Sequence, residues 1–168
     1  MAGAATIEVE REKAAARNAS FGTERGDTCP TWACYAGGDL TLDEARGYAL
    51  RYVNHARADA GIGELVLDYE LNAFAQSGSK ELSRDHLPHG YLASASAGCP
   101  SCAESQADPQ GVAAAPVHDQ LDAVLAGMLA EGAGGPNHDV LLDSHGHRLG
   151  VGIVNPNGVA YVTIDVAP

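Results

Sequence analysis

The sequence predicts an α+β domain in which helices pack on an antiparallel sheet. Apolar residues recur at spacings of three and four through residues 42–60, 68–84 and 116–131, which is the period of an amphipathic helix. Two segments near the end of the chain are instead rich in β-branched residues and flank a turn sequence. Because these patterns do not alternate as βαβ units, they favour an antiparallel sheet over a parallel one.

The composition indicates a globular domain and argues against both nucleic-acid binding and a membrane span. The 168 residues fit one domain, and 45% of them are hydrophobic, which is enough for a packed core. The net charge of -12 disfavours nucleic acid as a partner. No apolar run approaches the roughly 20 residues that cross a bilayer, so we expect no membrane span.

Four cysteines form two close pairs in the sequence, Cys29 with Cys34 and Cys99 with Cys102. An even number of cysteines favours disulfides and an oxidising compartment. We therefore expect an extracellular or secreted protein, although no signal peptide is present in this chain. Of the three possible connectivities, the two local bridges are preferred. The alternatives are a structural zinc site made by four thiolates and a redox-active pair.

The chain divides by composition into an extension and a domain. Residues 1–38 alternate charged, alanine-rich and glycine-rich pieces and end in the cysteine-bounded turn, which predicts an N-terminal extension. Residues 39–168 carry the periodic segments and form the predicted domain. An arm of this kind can pack on a neighbouring subunit, so a homo-oligomer built through residues 1–38 is one assembly that the sequence allows.

The first predicted helix has a clear start and a clear stop. Thr41 and Glu44 form a capping box, in which each side chain bonds to the backbone amide of the other residue. An apolar stripe of helical period follows, and Gly61 supplies the left-handed residue that ends many helices.

The remaining elements follow in order along the chain. Asp68 is a good N-cap for a second helix that ends near Arg84, and a turn-rich stretch follows over residues 88–98. Pro116 suits the first turn of a third helix, which ends near Glu131 before a run of glycines. The β-branched segments 149–154 and 159–166 then enclose the turn sequence Asn-Pro-Asn-Gly, which predicts a hairpin.

Three local motifs carry a family resemblance that spans about residues 41–166. The first helix contains Asn54-x-x-Arg57, the next turn reads Leu65-Val66-Leu67-Asp68, and residues 147–153 read His-Arg-Leu-Gly-Val-Gly-Ile. They resemble motifs of the CAP superfamily, which comprises the cysteine-rich secretory, antigen five and pathogenesis-related proteins with their SCP-like domains. The resemblance implies an α-β-α sandwich, with helices flanking a sheet of three or more antiparallel strands.

The resemblance also implies a shallow cleft of two histidines and two glutamates. The family places a His after the second helix, a Glu at the start of the next ordered segment, a Glu at the end of the third helix and a His soon after it. The residues at those places in this chain are His89, Glu104, Glu131 and His138. The residues around all four differ from the family's usual form.

Two imidazoles and two carboxylates can bind a divalent cation, and zinc suits this mixed set of nitrogen and oxygen ligands best. The same groups can instead form a hydrogen-bonded, partly desolvated cluster with shifted pKa values and no metal. Three further histidines are candidates for the site. They are His86, as an alternative to His89, and the pair His145 and His147, which would share one face of a strand.

The sequence favours binding over catalysis. No serine or cysteine is visibly paired with a base, and no His-Glu-x-x-His motif is present. We therefore expect a cleft that holds a divalent cation, a small ligand, a lipid or a protein partner. A metal-dependent hydrolase or protease, and a structural subunit that assembles through its N-terminal arm, are the alternatives.

Overall fold

The computed structural model describes residues 39–168. The predicted extension over residues 1–38 lies outside this range, as do the predicted Cys29–Cys34 bridge and the assembly through the arm, which therefore stay predictions. Within the described range, none of the helices combines the length and apolar character that a membrane span requires.

The two long helices at the start of the domain begin and end close to where the sequence predicts. Helix α1 is Leu42–Asp59, and the capping box is present, with the Thr41 amide donating to Glu44 Oε2 at 2.8 Å. Gly61 follows with a φ of 70°. Strand β1 (Val66–Leu67) leads into helix α2, Tyr69–Asp85, whose first turn is capped by the Asp68 side chain.

Two short helices were not predicted: one lies in the predicted turn-rich stretch, and the other follows the glycines that end the third predicted helix. Helix α3 is Gly90–Ala95 and is followed by a 3₁₀ turn at Ser96–Gly98; helix α5 is Pro136–Leu141. Neither is long enough to show a helical period in the sequence. Helix α3 instead lies against α2, where the Tyr91 and Phe74 rings are 5.0 Å apart. Helix α4 between them is Val117–Ala130, as predicted.

Four strands form one sheet in the order β1, β3, β4, β2. Strand β2 is Ala103–Ala107, and β3 (Arg148–Val154) and β4 (Tyr161–Ala167) form the predicted hairpin. Strands β3, β4 and β2 are antiparallel, but β1 pairs parallel with the start of β3. The sheet is therefore mixed, and the α+β sandwich is confirmed with this one correction.

The two faces of the sheet differ in chemistry. Alternate residues of the hairpin form a buried apolar face, namely Leu149, Val151, Ile153, Val162, Ile164 and Val166. Ser105 lies on this face of β2 and donates to the Asn137 carbonyl of α5, which places α5 on the apolar side. On the other face, a Cβ on Gly150 or Gly152 would overlap the backbone of Leu71 or Ala75 in α2. Helix α2 therefore packs directly against the backbone of β3.

Side chains from two helices occupy the edge of β3 that β1 is too short to cover. Asn72 Oδ1 accepts from the Val151 amide at 2.8 Å, and Gln76 both accepts from and donates to the backbone of Ile153. Arg46 Nε of α1 donates to the Val151 carbonyl at 2.9 Å. These bonds satisfy backbone groups that would otherwise form an open edge.

Arg57 hydrogen-bonds to both of the loops that precede β1 and β3. Its side chain is fully buried and donates to four backbone carbonyls at 2.7–3.1 Å, those of Gly63, Leu141, Asp143 and Gly146. One turn earlier in α1, Asn54 exchanges two hydrogen bonds with the backbone of Leu65. The Asn-x-x-Arg motif is thus structural in this chain, because both side chains fix the loops beside the sheet.

Replacement of Arg57 tests this role. In Arg57→Met four backbone carbonyls lose the hydrogen bond from the guanidinium, so we expect the free energy of unfolding to fall by ~3 kcal/mol or more. Chemical denaturation measures the change. Arg84→Met, at an exposed position of α2, is the control and should change stability by less than ~0.5 kcal/mol. Equal stability of the two variants would contradict the assigned role.

Candidate functional site

The loop that follows α2 is hydrogen-bonded by three side chains at alternate positions, those of Glu104, Gln106 and Asp108. His89 Nδ1 lies 2.9 Å from Glu104 Oε1, and the His89 amide donates to Gln106 Oε1 at 2.6 Å. His86 Nδ1 lies 3.1 Å from Asp108 Oδ1. Because residues at this spacing share one face of an extended segment, β2 and the residue that follows it present a row of acceptors to the loop. We call residues 86–89 with this row the histidine loop site.

Both histidines adopt a backbone conformation that is rare for residues other than glycine. The φ of His86 is 56° and that of His89 is 63°. Such conformations persist where surrounding contacts hold them. The hydrogen bonds from β2 supply those contacts, so the loop conformation and the orientation of both rings depend on the same three side chains.

Glu104 determines which nitrogen of His89 faces a ligand. The Glu104 side chain is fully buried, whereas that of His89 is 51% exposed. When the Glu104 carboxylate is ionised it accepts hydrogen bonds only, and Nδ1 then carries the proton that it donates to Glu104. Nε2 then carries a lone pair, and it has no partner among residues 39–168. The arrangement can accept a proton, accept a hydrogen bond or coordinate a cation at Nε2.

Beneath His89, Glu104 forms a pair with a second buried carboxyl. Glu104 on β2 lies directly opposite Asp165 on β4, and Asp165 is fully buried. No donor from the described part of the chain reaches Glu104 Oε2 or either oxygen of Asp165. Two carboxyls can hydrogen-bond to each other only when one of them carries a proton, so a bond within this cross-strand pair requires a shared proton.

The pKa values of the pair follow from this burial. Desolvation raises the pKa of Asp165 to about 8, and the adjacent charge of Glu104 adds to the shift. Desolvation also raises the pKa of Glu104, although its hydrogen bond with His89 acts in the opposite direction. We therefore assign the shared proton to Asp165 at neutral pH, while His89 lies beside the other carboxyl, Glu104.

Glu131 and His138 serve a different part of the molecule. The Glu131 carboxylate accepts from the Asn137 amide at 2.9 Å and from Asn137 Nδ2 at 2.6 Å. Because Asn137 is in the first turn of α5, Glu131 acts as a cap for that helix. These hydrogen bonds hold the pKa of Glu131 below its ordinary value. His138 Nδ1 lies 3.0 Å from Asp139 Oδ1.

The four predicted ligands therefore form two separate sets of contacts. His89 and Glu104 are together, as predicted, while Glu131 and His138 bond to their own neighbours in and before α5. Residues 39–168 contain no group of three or more His, Cys, Asp or Glu side chains that could hold a metal ion. Zinc at these four residues stays a prediction from the sequence.

The other sequence candidates have simpler environments. His145 and His147 lie just before β3, at the entrance to the strand and not within it. The His145 side chain is 88% exposed and lies 3.1 Å from Asp143. Cys99 and Cys102 form the predicted local disulfide, which excludes both as thiolate ligands of zinc.

Comparisons with known proteins support the fold alone. No family model and no curated protein matches the chain. Among solved structures, an extracellular protein with an SCP domain from Bacillus anthracis has a TM-score of 0.52 and 20% identity. The match covers 78% of this chain and 45% of that protein, so the chain spans less than half of its length. An outer surface protein of Borrelia burgdorferi has a TM-score of 0.56 and 12% identity, with 79% and 98% coverage.

These likenesses, together with the sandwich described above, show that residues 39–168 have the fold of the SCP domains of the CAP superfamily. The resemblance seen in the sequence motifs is confirmed at the level of fold.

The shared proton predicts how stability depends on pH. The pKa of Asp165 is about 8 in the folded state, against an ordinary value of 3.8, so the folded state keeps a proton that the unfolded chain releases. Stability contributed by this group falls as pH rises from about 4 to about 8. We expect Asp165→Asn to match the wild type near pH 4 and to exceed its free energy of unfolding by at least ~1 kcal/mol near pH 8.

Denaturant unfolding at several pH values measures this difference. Asp43→Asn, which changes an exposed carboxyl, is the matched control, and its difference from the wild type should stay level over the same range. A difference for Asp165→Asn that does not grow with pH would contradict the shared proton.

Proposed function

We propose that this chain is an extracellular binding domain of the CAP fold that holds a divalent cation at the histidine loop site. The observation that carries the proposal is the pair of imidazoles at His86 and His89. Each is bonded through Nδ1 to a carboxylate, that of Asp108 just after β2 and that of Glu104 within it. Their Nε2 atoms have no partner in residues 39–168. A carboxylate behind an imidazole is the arrangement that fixes the ring and raises its basicity in metal sites.

The proposed cation site is an open one. Two imidazoles suit zinc and related transition metals, and water or a partner would supply the remaining ligands. The net charge of -12 attracts cations to the surface in general. The bound cation would supply a positive charge and exchangeable coordination positions, through which a partner could be recognised.

The proposed location has two supports. The Cys99–Cys102 disulfide is typical of an oxidising compartment. The two solved structures are named as an extracellular protein and an outer surface protein.

Binding is proposed rather than hydrolysis because of the partners of His89. Its ring bonds to the Glu104 carboxylate and its amide to Gln106, and neither group is a nucleophile for an acyl group. A histidine that is not paired with a nucleophilic side chain is better suited to binding a ligand than to covalent catalysis.

Zinc titration of the whole chain tests the proposal. We expect His89→Gln to weaken zinc binding at least tenfold by calorimetry, and Glu104→Gln to weaken it ~10-fold because the ring loses its orienting carboxylate. His145→Gln is the matched control, since it removes an exposed histidine that is also paired with a carboxylate. Thermal melting of each variant shows that the fold is retained.

Two results would contradict the proposal. The first is zinc binding that falls no further in His89→Gln than in His145→Gln. The second is hydrolysis of casein or of p-nitrophenyl acetate that rises with added zinc and is lost in His89→Gln, because it would make the site catalytic.

A further inference from the structure

A cavity of about 410 Å³ lies between α2 and the segment that follows Tyr91. Residues of the first half of α2 form one wall, the segment from Gly98 to Ser101 forms another, and Arg148 of β3 also lines the cavity. None of its lining residues belongs to the histidine loop site. It is therefore a separate concave surface, with its own chemistry.

The apolar walls of this cavity are fixed by the surrounding structure. The Phe74 and Tyr91 rings lie 5.0 Å apart and are tilted by 56°. Leu71 and Cys99 belong to a buried cluster with Ala167, and the disulfide closes the segment that carries Cys99. Gly98 approaches the Phe74 ring so closely that a Cβ there would lie 3.0 Å from Cε2. An apolar group can thus enter a surface that is already formed.

Two opposite charges line the same cavity without neutralising each other. Arg148 Nε donates to the Pro168 carbonyl at 2.9 Å, and Nη1 to Asp68 Oδ2 at 3.2 Å. Within residues 39–168, Asp68 is the ion-pair partner of Arg148, and Nη2 makes no bond. The Glu70 carboxylate also has no partner in the described range, although it lines the cavity with Arg148.

We propose that this cavity binds a small apolar α-amino acid in its zwitterionic form. The carboxylate of the ligand would pair with Arg148 Nη2, its ammonium group with Glu70, and its side chain would contact Phe74 and Tyr91. A cavity of about 410 Å³ is at the small end of the range for ligand sites, which suits a ligand of this size. A monocarboxylate would leave Glu70 without a partner and a simple amine would leave Arg148 Nη2 without one, so neither ligand pairs with both groups.

Three probes of similar shape separate these chemistries. L-phenylalanine carries both charges, 3-phenylpropionate only the carboxylate and phenethylamine only the ammonium group. We expect the full chain to bind phenylalanine about tenfold more tightly than either single-charge analogue, since a charge-assisted hydrogen bond of about 1.4 kcal/mol corresponds to that factor. Calorimetry or chemical-shift titration measures the three affinities.

Variants assign the charges to residues. Glu70→Gln should weaken phenylalanine binding about tenfold while 3-phenylpropionate binds as well as before or better. Glu64→Gln, an exposed glutamate outside the cavity, is the control and should leave both affinities unchanged. Arg148→Lys keeps a positive charge for the fold but removes the planar donor pair, and should weaken both carboxylate ligands.

Three outcomes would overturn the proposal. They are absence of phenylalanine binding at millimolar concentration, equal affinity for the three probes, and equal effects of Glu70→Gln and Glu64→Gln on phenylalanine binding. Because none of these probes needs the histidine loop site, failure here leaves the zinc experiment unaffected, and the reverse also holds.

Discussion

The buried guanidinium of Arg57 is the interaction on which the rest of the sheet depends. It donates hydrogen bonds to the carbonyls of Gly63 and Gly146, which lie just before β1 and β3. Both strands therefore begin beside the same side chain and run in the same direction. This explains why one short parallel pair begins an otherwise antiparallel sheet. Strand β3 then pairs with β4 and β4 with β2, so the position of Glu104 opposite Asp165 follows from this one anchored start.

The close packing of α2 on the sheet explains the chemistry of the candidate site. Gly150 lies opposite Asp165 and lets α2 approach the sheet backbone, and Asp165 is fully buried. A carboxyl in such surroundings keeps its proton unless a cation or donors compensate the charge. Glu104 is one strand nearer the edge, where His89 reaches it. A single cross-strand pair therefore combines Asp165, a carboxyl that keeps its proton at neutral pH, with Glu104, a carboxyl in contact with a histidine.

The sequence predicts well those features that depend on neighbouring residues. The capping box at Thr41, the N-cap at Asp68 and the terminal hairpin are all local, and all are confirmed. The pairing of His89 with Glu104 was implied by family resemblance and not by local chemistry. Asp165 was missed because its role depends on a register between strands sixty residues apart in the chain, within a run that reads as an ordinary buried strand. The capping role of Glu131 was missed because α5 is too short to be recognised.

The side chains of Asn72 and Gln76 cover the edge of β3, so the solubility of the domain depends on α2 staying packed on the sheet. They hydrogen-bond to the backbone of Val151 and Ile153. These two residues belong to an apolar, β-branched segment that would otherwise be open to pairing with another strand. If α2 separates from the sheet while the hairpin stays paired, that segment becomes a template for strand addition by a second molecule. Association of this domain would then begin from partial opening at α2, well before the hairpin itself unfolds.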